Sequence, residues 1–121
     1  MKDAKRELLE YMQNEAVRIF TAKKDGKIAG LVIIMQTDEF CDLLDIAVDP
    51  LFQRKGIAKA LCDKVFEYCR QNNVKSVLLE VRKSNISAIN LYEKCGFEKI
   101  AERKKYYTAP TEDAIIYRRE L

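Results

Sequence analysis

The sequence predicts an α/β (α+β) domain with a mixed, mostly antiparallel sheet, one parallel strand–helix–strand crossover, and helices on both faces. Asp25-Gly26 lies between two apolar segments, a pattern that predicts a hairpin of antiparallel strands. Further on, an amphipathic helix separates two apolar strand segments, and strands joined through a helix pair in parallel. Such a crossover is right-handed in nearly all folds.

The elements follow the order β-β-β-α-β-α-β-β, after a short helix that the spacing of Leu8, Leu9 and Met12 predicts over residues 4–14. The strands are predicted at 16–22, 28–36, 43–48, 76–82, 97–106 and 114–119. The chain contains no repeat, linker or low-complexity segment.

Two amphipathic helices lie between the later strands. The first, over 56–71, places Ile57, Leu61, Val65 and Tyr68/Cys69 on one face. The second begins at a polar cap, either Ser84 or Asn85, and ends at Gly96, which has the position of a C′ glycine.

The segment Q-R-K-G-I-A at 53–58 connects a strand to the first helix, and it predicts a pyrophosphate site. Backbone N–H groups at a helix N-terminus bind anions, and Gly56 lets the backbone approach them closely. Arg54, Lys55 and Lys59 add positive charge, with Ile57 and Ala58 supplying further N–H groups. The P-loop and the dinucleotide fingerprint are both absent. From this segment alone, a plain strand–helix connector with a basic rim remains an alternative.

Composition limits the function classes. The 121 residues suit one domain, residues 1–121, and 48% hydrophobic residues suffice for a core. The net charge of +3 is too small to indicate a nucleic-acid partner. No apolar run approaches the roughly 20 residues of a membrane-spanning helix, and no signal peptide is evident. We therefore expect a cytoplasmic protein with no membrane partner.

The chain has four cysteines and no histidine. Cys41, Cys62, Cys69 and Cys95 form no C-x-x-C pair, so we expect no metal site and buried, reduced thiols. Without histidine, every Ser-His-Asp scheme is excluded, and a nucleophilic cysteine has no histidine to activate it. A general base must then be a carboxylate, tyrosine, lysine or water.

Several motifs follow the pyrophosphate loop in a fixed order: L-E-V-R-x-S-N from Leu79, A-I-x-L-Y-x-x-x-G-F from Ala88, R-x-x-Y-Y from Arg103 and E-D-A-I-I from Glu112. In this combination the chain resembles the GNAT N-acetyltransferase family, and in particular its bacterial ribosomal-protein-alanine N-acetyltransferase branch. The resemblance extends from about Ile28 to Tyr117. It implies a GNAT-like fold and an enzyme that uses acetyl coenzyme A as acetyl donor.

The resemblance also implies how the donor binds. The family holds acetyl coenzyme A where two parallel strands separate, with its pyrophosphate on the loop at 53–58. The backbone of Ile46, Ala47 and Val48 is then expected to pair with the pantetheine arm like an added strand. The Asn85 amide is expected to contact the same arm, although Asn85 also suits a simple helix cap, and both roles are compatible.

Two residues are candidates for proton transfer. Glu80 occupies the position of the branch's proposed base, and Tyr92 occupies that of an acid that protonates the leaving thiolate. From the pattern alone, Glu80 suits a strand-end carboxylate paired with an arginine, and Tyr92 suits a tyrosine packed on the core. The match to the branch favours the catalytic roles.

Acceptor recognition is expected at Tyr106-Tyr107, which resembles a tyrosine pair of the branch. Because side chains alternate along a strand, only one of the two is expected to face the cleft, and we favour Tyr106. Five acidic residues are candidates for attracting a basic peptide, with ordinary solvated charge as the alternative: Asp38, Glu39, Asp42, Glu112 and Asp113.

The predicted function is acetyl transfer to a protein N-terminal amine, with a ribosomal protein as acceptor. The alternatives are a lysine or small-molecule amine acetyltransferase and a non-catalytic acyl-coenzyme-A-binding module. The domain is expected to be short at its N-terminus, lacking one strand and one helix that family members carry. An unpaired edge there would favour self-association.

Overall fold

The computed structural model describes residues 13–53 and 56–121, together with Arg6 and Glu10. Within these residues the strands are β1 (Val17–Lys24), β2 (Lys27–Thr37), β3 (Phe40–Val48), β4 (Ser76–Arg82), β5 (Glu98–Tyr107) and β6 (Glu112–Glu120). The helices are α1 (Ile57–Gln71) and α2 (Ile86–Lys94), and a 3-10 turn covers Pro50–Phe52. The helix predicted over 4–14 lies largely outside the described residues.

The six strands form one sheet in the order β1-β2-β3-β4-β6-β5. Only the central pair, β3 and β4, is parallel, and α1 connects these two strands. The predicted mixed sheet with one crossover is therefore confirmed. Strand β1 forms one edge of the described sheet, and the self-association expected at the N-terminal edge stays a prediction.

The predicted elements agree with the structure except at their ends. Strand β4 has the predicted bounds, whereas β3 begins at Phe40, three residues before the prediction. Its first residues pair with both β2 and β4, and this pairing extends the strand through the polar Asp42. The hairpin turn has positive φ at Asp25 and Gly26, as its Asp-Gly sequence predicts.

Helix α1 packs its apolar face on the sheet. Leu61, Val65 and Cys69 have no exposed surface, and they join a core that includes Val32 and Val77 from the sheet. Burying each side chain of this size contributes about 1.5–3 kcal/mol before opposing entropy is counted. This packing holds the start of α1 in place at the end of β3.

Helix α2 packs on the same face as α1. The ring of Phe97, just after α2, lies 5.7 Å from the rings of both Tyr92 and Phe66. The Tyr117 hydroxyl of β6 donates a hydrogen bond to Glu93 of α2 (3.0 Å). The prediction of helices on both faces also concerns the N-terminal segment outside the described residues. Neither α1 nor α2 is long and apolar enough to cross a membrane.

All four cysteines are free and buried, as predicted. The thiols lie in two neighbouring pairs, Cys41 beside Cys69 and Cys62 beside Cys95. Contact with the partner thiol and burial raise the pKa of Cys41 and of Cys62, so these two sulfurs stay protonated. They therefore fill the core as small apolar groups.

Candidate active site

The centre of the sheet contains a wedge-shaped gap between β3 and β4. These strands pair over three residue pairs, from Phe40–Ser76 to Asp42–Leu78. Beyond this point β3 continues along β2 and β4 continues along β6, so the facing edges of residues 43–48 and 79–82 separate. Backbone N–H and C=O groups on such an edge require partners, and an extended ligand can supply them.

A bulge in β3 accounts for the gap. Ile33 of β2 pairs with Asp45 and Ile34 pairs with Leu43, which leaves Leu44 as an extra residue in β3. A bulge bends its strand and increases the local twist. Leu43 faces the core before the bulge and Ile46 packs against it afterwards, so the alternation of side chains shifts by one residue. Ile46, Ala47 and Val48 thus continue β3 along the gap.

The loop after β3 leads directly into α1. The Asp49 side chain accepts a hydrogen bond from the Leu51 N–H (2.9 Å) and begins the 3-10 turn. Gly56 then precedes α1 with φ 77°, a left-handed conformation that favours glycine. The first N–H groups of α1, including those of Ile57 and Ala58, have no partner within the helix. These are the N–H groups that the sequence assigns to an anion site, and anion binding here stays a prediction.

The basic residues of the loop are only partly described. Arg54 and Lys55 lie outside the described residues. Lys59, in the first turn of α1, forms an ion pair with Asp63 (3.1 Å), and both side chains are more than half exposed. The Lys59 ammonium therefore remains accessible to an anion at the helix N-terminus.

Gly30 positions this loop against the sheet, a role that the sequence analysis did not assign. A Cβ atom at Gly30 would lie 2.9 Å from the Ala47 carbonyl oxygen and about as close to the side chains of Ile57 and Leu61. Because Gly30 lacks a side chain, the first turn of α1 can pack directly on β2. A glycine inside a strand pattern is the signal that could have found it.

The sheet face away from α1 and α2 carries a cavity of about 460 Å³ beside the gap. Its lining comes from four strands: Asp42, Leu43, Leu44, Leu78, Leu79, Glu80, Tyr106, Tyr107 and Ile116. The structure therefore brings the predicted base, Glu80, and the predicted acceptor residue, Tyr106, into one cavity. Of the five acidic residues considered for the acceptor, Asp42 is the one that lines it.

Two polar side chains of β5 lie beside the Glu80 carboxylate. One Arg103 guanidinium nitrogen lies 3.8 Å from its Oε1 atom, a long ion pair between partly exposed side chains. The Tyr106 hydroxyl lies beside Glu80, and this carboxylate raises the pKa of Tyr106. Both of these neighbours are well exposed, and the Glu80 carboxylate remains open to the cavity.

The expectation that only one tyrosine of the pair faces the cleft is wrong. Tyr106 and Tyr107 both line the cavity, with ring centroids 5.1 Å apart in an edge-to-face arrangement. Lys105 has φ 52°, and β5 loses its regular register between Arg103 and Tyr107. This irregular backbone breaks the side-chain alternation on which the expectation depended.

Tyr92 lies on the other side of the sheet from the cavity. Its side chain is buried among α1, α2 and Phe97, and it does not line the cavity that contains Glu80. Burial raises the pKa of Tyr92 to about 12, and its electrostatic neighbours include Asp45 and Tyr107. The phenol therefore keeps its proton at neutral pH, as a general acid must.

Asn85 is the N-cap of α2, which settles the choice between it and Ser84. Its Oδ1 atom accepts a hydrogen bond from the Ala88 N–H (3.2 Å). The Ser84 N–H instead donates to the Glu112 carboxylate of β6. The cap role of Asn85 is confirmed, while its contact with a donor molecule stays a prediction.

A model of the acetyltransferase (GNAT) family matches residues 1–97. The chain is 39% identical over 106 residues to the [ribosomal protein bS18]-alanine N-acetyltransferase of Escherichia coli (strain K12), covering 86% of this chain and 72% of that protein. It is 34% identical over 108 residues to the enzyme of the same name from Haemophilus influenzae, covering 85% and 73%.

A solved structure agrees with these relatives. The crystal structure of the ribosomal-protein-S18-alanine N-acetyltransferase from Escherichia coli superimposes with a TM-score of 0.87 and 34% identity, covering 99% of this chain and 78% of that one. The fold is thus shared with a ribosomal-protein-alanine N-acetyltransferase. The chain belongs to the acetyltransferase (GNAT) family, and it is an N-acetyltransferase.

The raised pKa of Tyr92 predicts a loss of stability at alkaline pH. The unfolded phenol ionises near its usual value of about 10, whereas the folded phenol stays neutral until about 12. Raising the pH through this interval therefore favours unfolding, by about 1.4 kcal/mol at pH 11. We expect Tyr92→Phe to lack this loss when urea unfolding is compared at pH 9 and pH 11.

Tyr106→Phe is the control. Because the Tyr106 ring is 44% exposed, this substitution should change the loss of unfolding free energy between pH 9 and pH 11 by less than Tyr92→Phe does. If wild type and Tyr92→Phe lose the same free energy of unfolding between the two pH values, the phenol is not held in an apolar environment.

Proposed function

We propose that the protein transfers the acetyl group of acetyl coenzyme A to the N-terminal amine of a protein, and that this acceptor is a ribosomal protein. The observation that carries the proposal is the carboxylate of Glu80 in a cavity beside the gap between β3 and β4. The named relatives support the acceptor class. A ribosomal acceptor is consistent with the cytoplasmic location expected from the sequence.

The donor has a suitable path along the gap. Its pyrophosphate binds the N–H groups at Gly56 and the first turn of α1, with Lys59 nearby. The pantetheine arm lies along the open edge of Ile46–Val48 and pairs with its backbone as an added strand. The Asn85 amide contacts the same arm. The thioester then lies near the narrow end of the gap, where β3 and β4 pair.

The cavity supplies the acceptor with a base. An N-terminal amine has a reference pKa of about 7.7–8.0, so at neutral pH much of it is an ammonium that must lose a proton before it attacks. Glu80 takes this proton, directly or through water. The neutral nitrogen attacks the thioester carbonyl carbon, the C–N bond forms, the C–S bond breaks, and the nitrogen releases its second proton to solvent as the amide forms. Tyr92 protonates the departing thiolate, and Tyr106 and Tyr107 hold the acceptor chain.

Paired peptides test the acceptor class. One peptide begins with a free alanine and contains no lysine; its partner is blocked at the N-terminus and contains one lysine. After incubation with acetyl coenzyme A, we expect a mass increase of one acetyl group in the first peptide alone. Acetylation of the lysine peptide alone would overturn the N-terminal assignment. Donor binding without any transfer to either peptide or to small amines would indicate a non-catalytic binding module.

Replacing Gly56 by aspartate should abolish donor binding. The carboxylate would repel the pyrophosphate at the point where N–H groups should meet it. We expect no measurable binding of acetyl coenzyme A by isothermal titration calorimetry. Gly26→Asp is a matched control, because Gly26 has nearly the same φ (78° against 77°) and equally open space, but lies in the β1–β2 hairpin. Equal donor affinity in the two variants would exclude the loop as the pyrophosphate site.

Replacing Glu80 by glutamine should lower turnover in a pH-dependent manner. At pH 6.5 the acceptor is mostly an ammonium, and loss of a general base is expected to lower kcat/KM by about 100-fold. Near pH 9 the amine is already mostly neutral, so the defect should shrink to about tenfold or less. Glu39→Gln is the control, since Glu39 pairs with Lys75 away from the cavity. A defect of equal size at both pH values would assign Glu80 to positioning instead.

A further inference from the structure

We propose that Asp42 determines acceptor specificity: its carboxylate, together with that of Glu80, holds the acceptor amine while it is still an ammonium. Acceptors are then restricted to molecules that bring a free, cationic amine into the cavity. The inference rests on the proposed function, because it assigns a second residue to the same acceptor site.

Asp42 lies at the narrow end of the gap. It is the last residue of β3 that pairs with β4, opposite Leu78, before the strands separate. Leu78 and Glu80 share one face of β4 by alternation, and Asp42 and Glu80 both line the cavity on that face. The two carboxylates therefore flank the position where the thioester and the amine must meet.

The charges in the cavity leave a place for a cation. Burial raises the pKa of Asp42, and the negative charge of Glu80 raises it further. Among the described residues, Arg103 lies 3.8 Å from Glu80, is 59% exposed and also contacts the Tyr106 ring. Among these three described groups, two carboxylates and one guanidinium leave a net negative charge, which an incoming ammonium neutralises while relieving the repulsion between the carboxylates.

Three of the other acidic candidates already form ion pairs. Glu39 pairs with Lys75 (3.2 Å), Glu112 pairs with Arg82 (3.4 Å), and Asp113 pairs with Lys104 (3.2 Å). Asp38 lies in the turn between β2 and β3, away from this cavity. Of the five acidic candidates, Asp42 alone lines the cavity. We therefore assign the acceptor contact to Asp42 and not to a general attraction by the acidic surface.

A structural role and a binding role for Asp42 predict opposite effects on stability. Because its pKa is raised in the folded protein, the ionised carboxylate is less favourable there than in the unfolded chain at neutral pH. The neutral, isosteric Asp42→Asn should therefore unfold at the same urea concentration as wild type or a higher one. A carboxylate that stabilised the fold would give a lower midpoint.

Binding without turnover tests the specificity. Coenzyme A replaces acetyl coenzyme A, and two ligands are titrated by calorimetry: the alanine-initiated peptide and its des-amino analogue, in which a propionyl group replaces the first alanine. We expect wild type to bind the amino peptide about tenfold or more tightly than the analogue, as a desolvated charge pair can provide. In Asp42→Asn this preference should fall about tenfold, with unchanged affinity for the analogue.

Asp38→Asn is the control and should keep the wild-type preference. Asp42→Ser, which also removes the charge, should repeat the loss of preference and guards against an effect peculiar to asparagine. An unchanged preference in both Asp42 variants overturns the role of Asp42, while continued peptide acetylation leaves the proposed function standing. If wild type acetylates no N-terminus, the proposed function fails first, independently of the Asp42 result.

Discussion

The short pairing between β3 and β4 is the constraint on which the rest of the site depends. Strands in the middle of a sheet normally satisfy the backbone groups on both edges. Here three residue pairs join the two strands, and the bulge at Leu44 then turns β3 away. The sheet stays intact because β2 and β6 hold the outer edges of the separating strands. The fold thereby keeps an open backbone edge at its centre, where an extended donor is proposed to bind.

The two faces of the sheet give the candidate catalytic groups different environments. On the helix side, an apolar core surrounds the Tyr92 phenol and keeps it protonated. On the open side, a cavity with exposed polar neighbours holds Glu80 and Asp42. The sheet thus separates a buried, neutral phenol from carboxylates that are open to an acceptor. A thioester placed in the gap between the strands would be accessible from both faces of the sheet.

Helix α1 links the donor loop to the core. Its buried residues, Leu61 and Val65, anchor the helix on the sheet, and Gly30 allows its first turn to approach β2. The position of the N–H groups at Gly56 is therefore set by core packing and not by the loop alone. A cavity-forming change under α1 would disturb donor binding through this packing, even though it touches no residue of the loop.

The sequence by itself determined the order of elements, the parallel crossover, the anion loop and the family, because apolar periodicity, turn residues and ordered motifs are local properties. It could not determine which side chains share a cavity. Both tyrosines at 106 and 107 line it because Lys105 breaks strand alternation, and Gly30 matters only because α1 lies against it. Asp42 looked like one surface acid among five until the strands around it were placed. These features depend on register, bulges and contacts between distant segments, which only the tertiary structure decides.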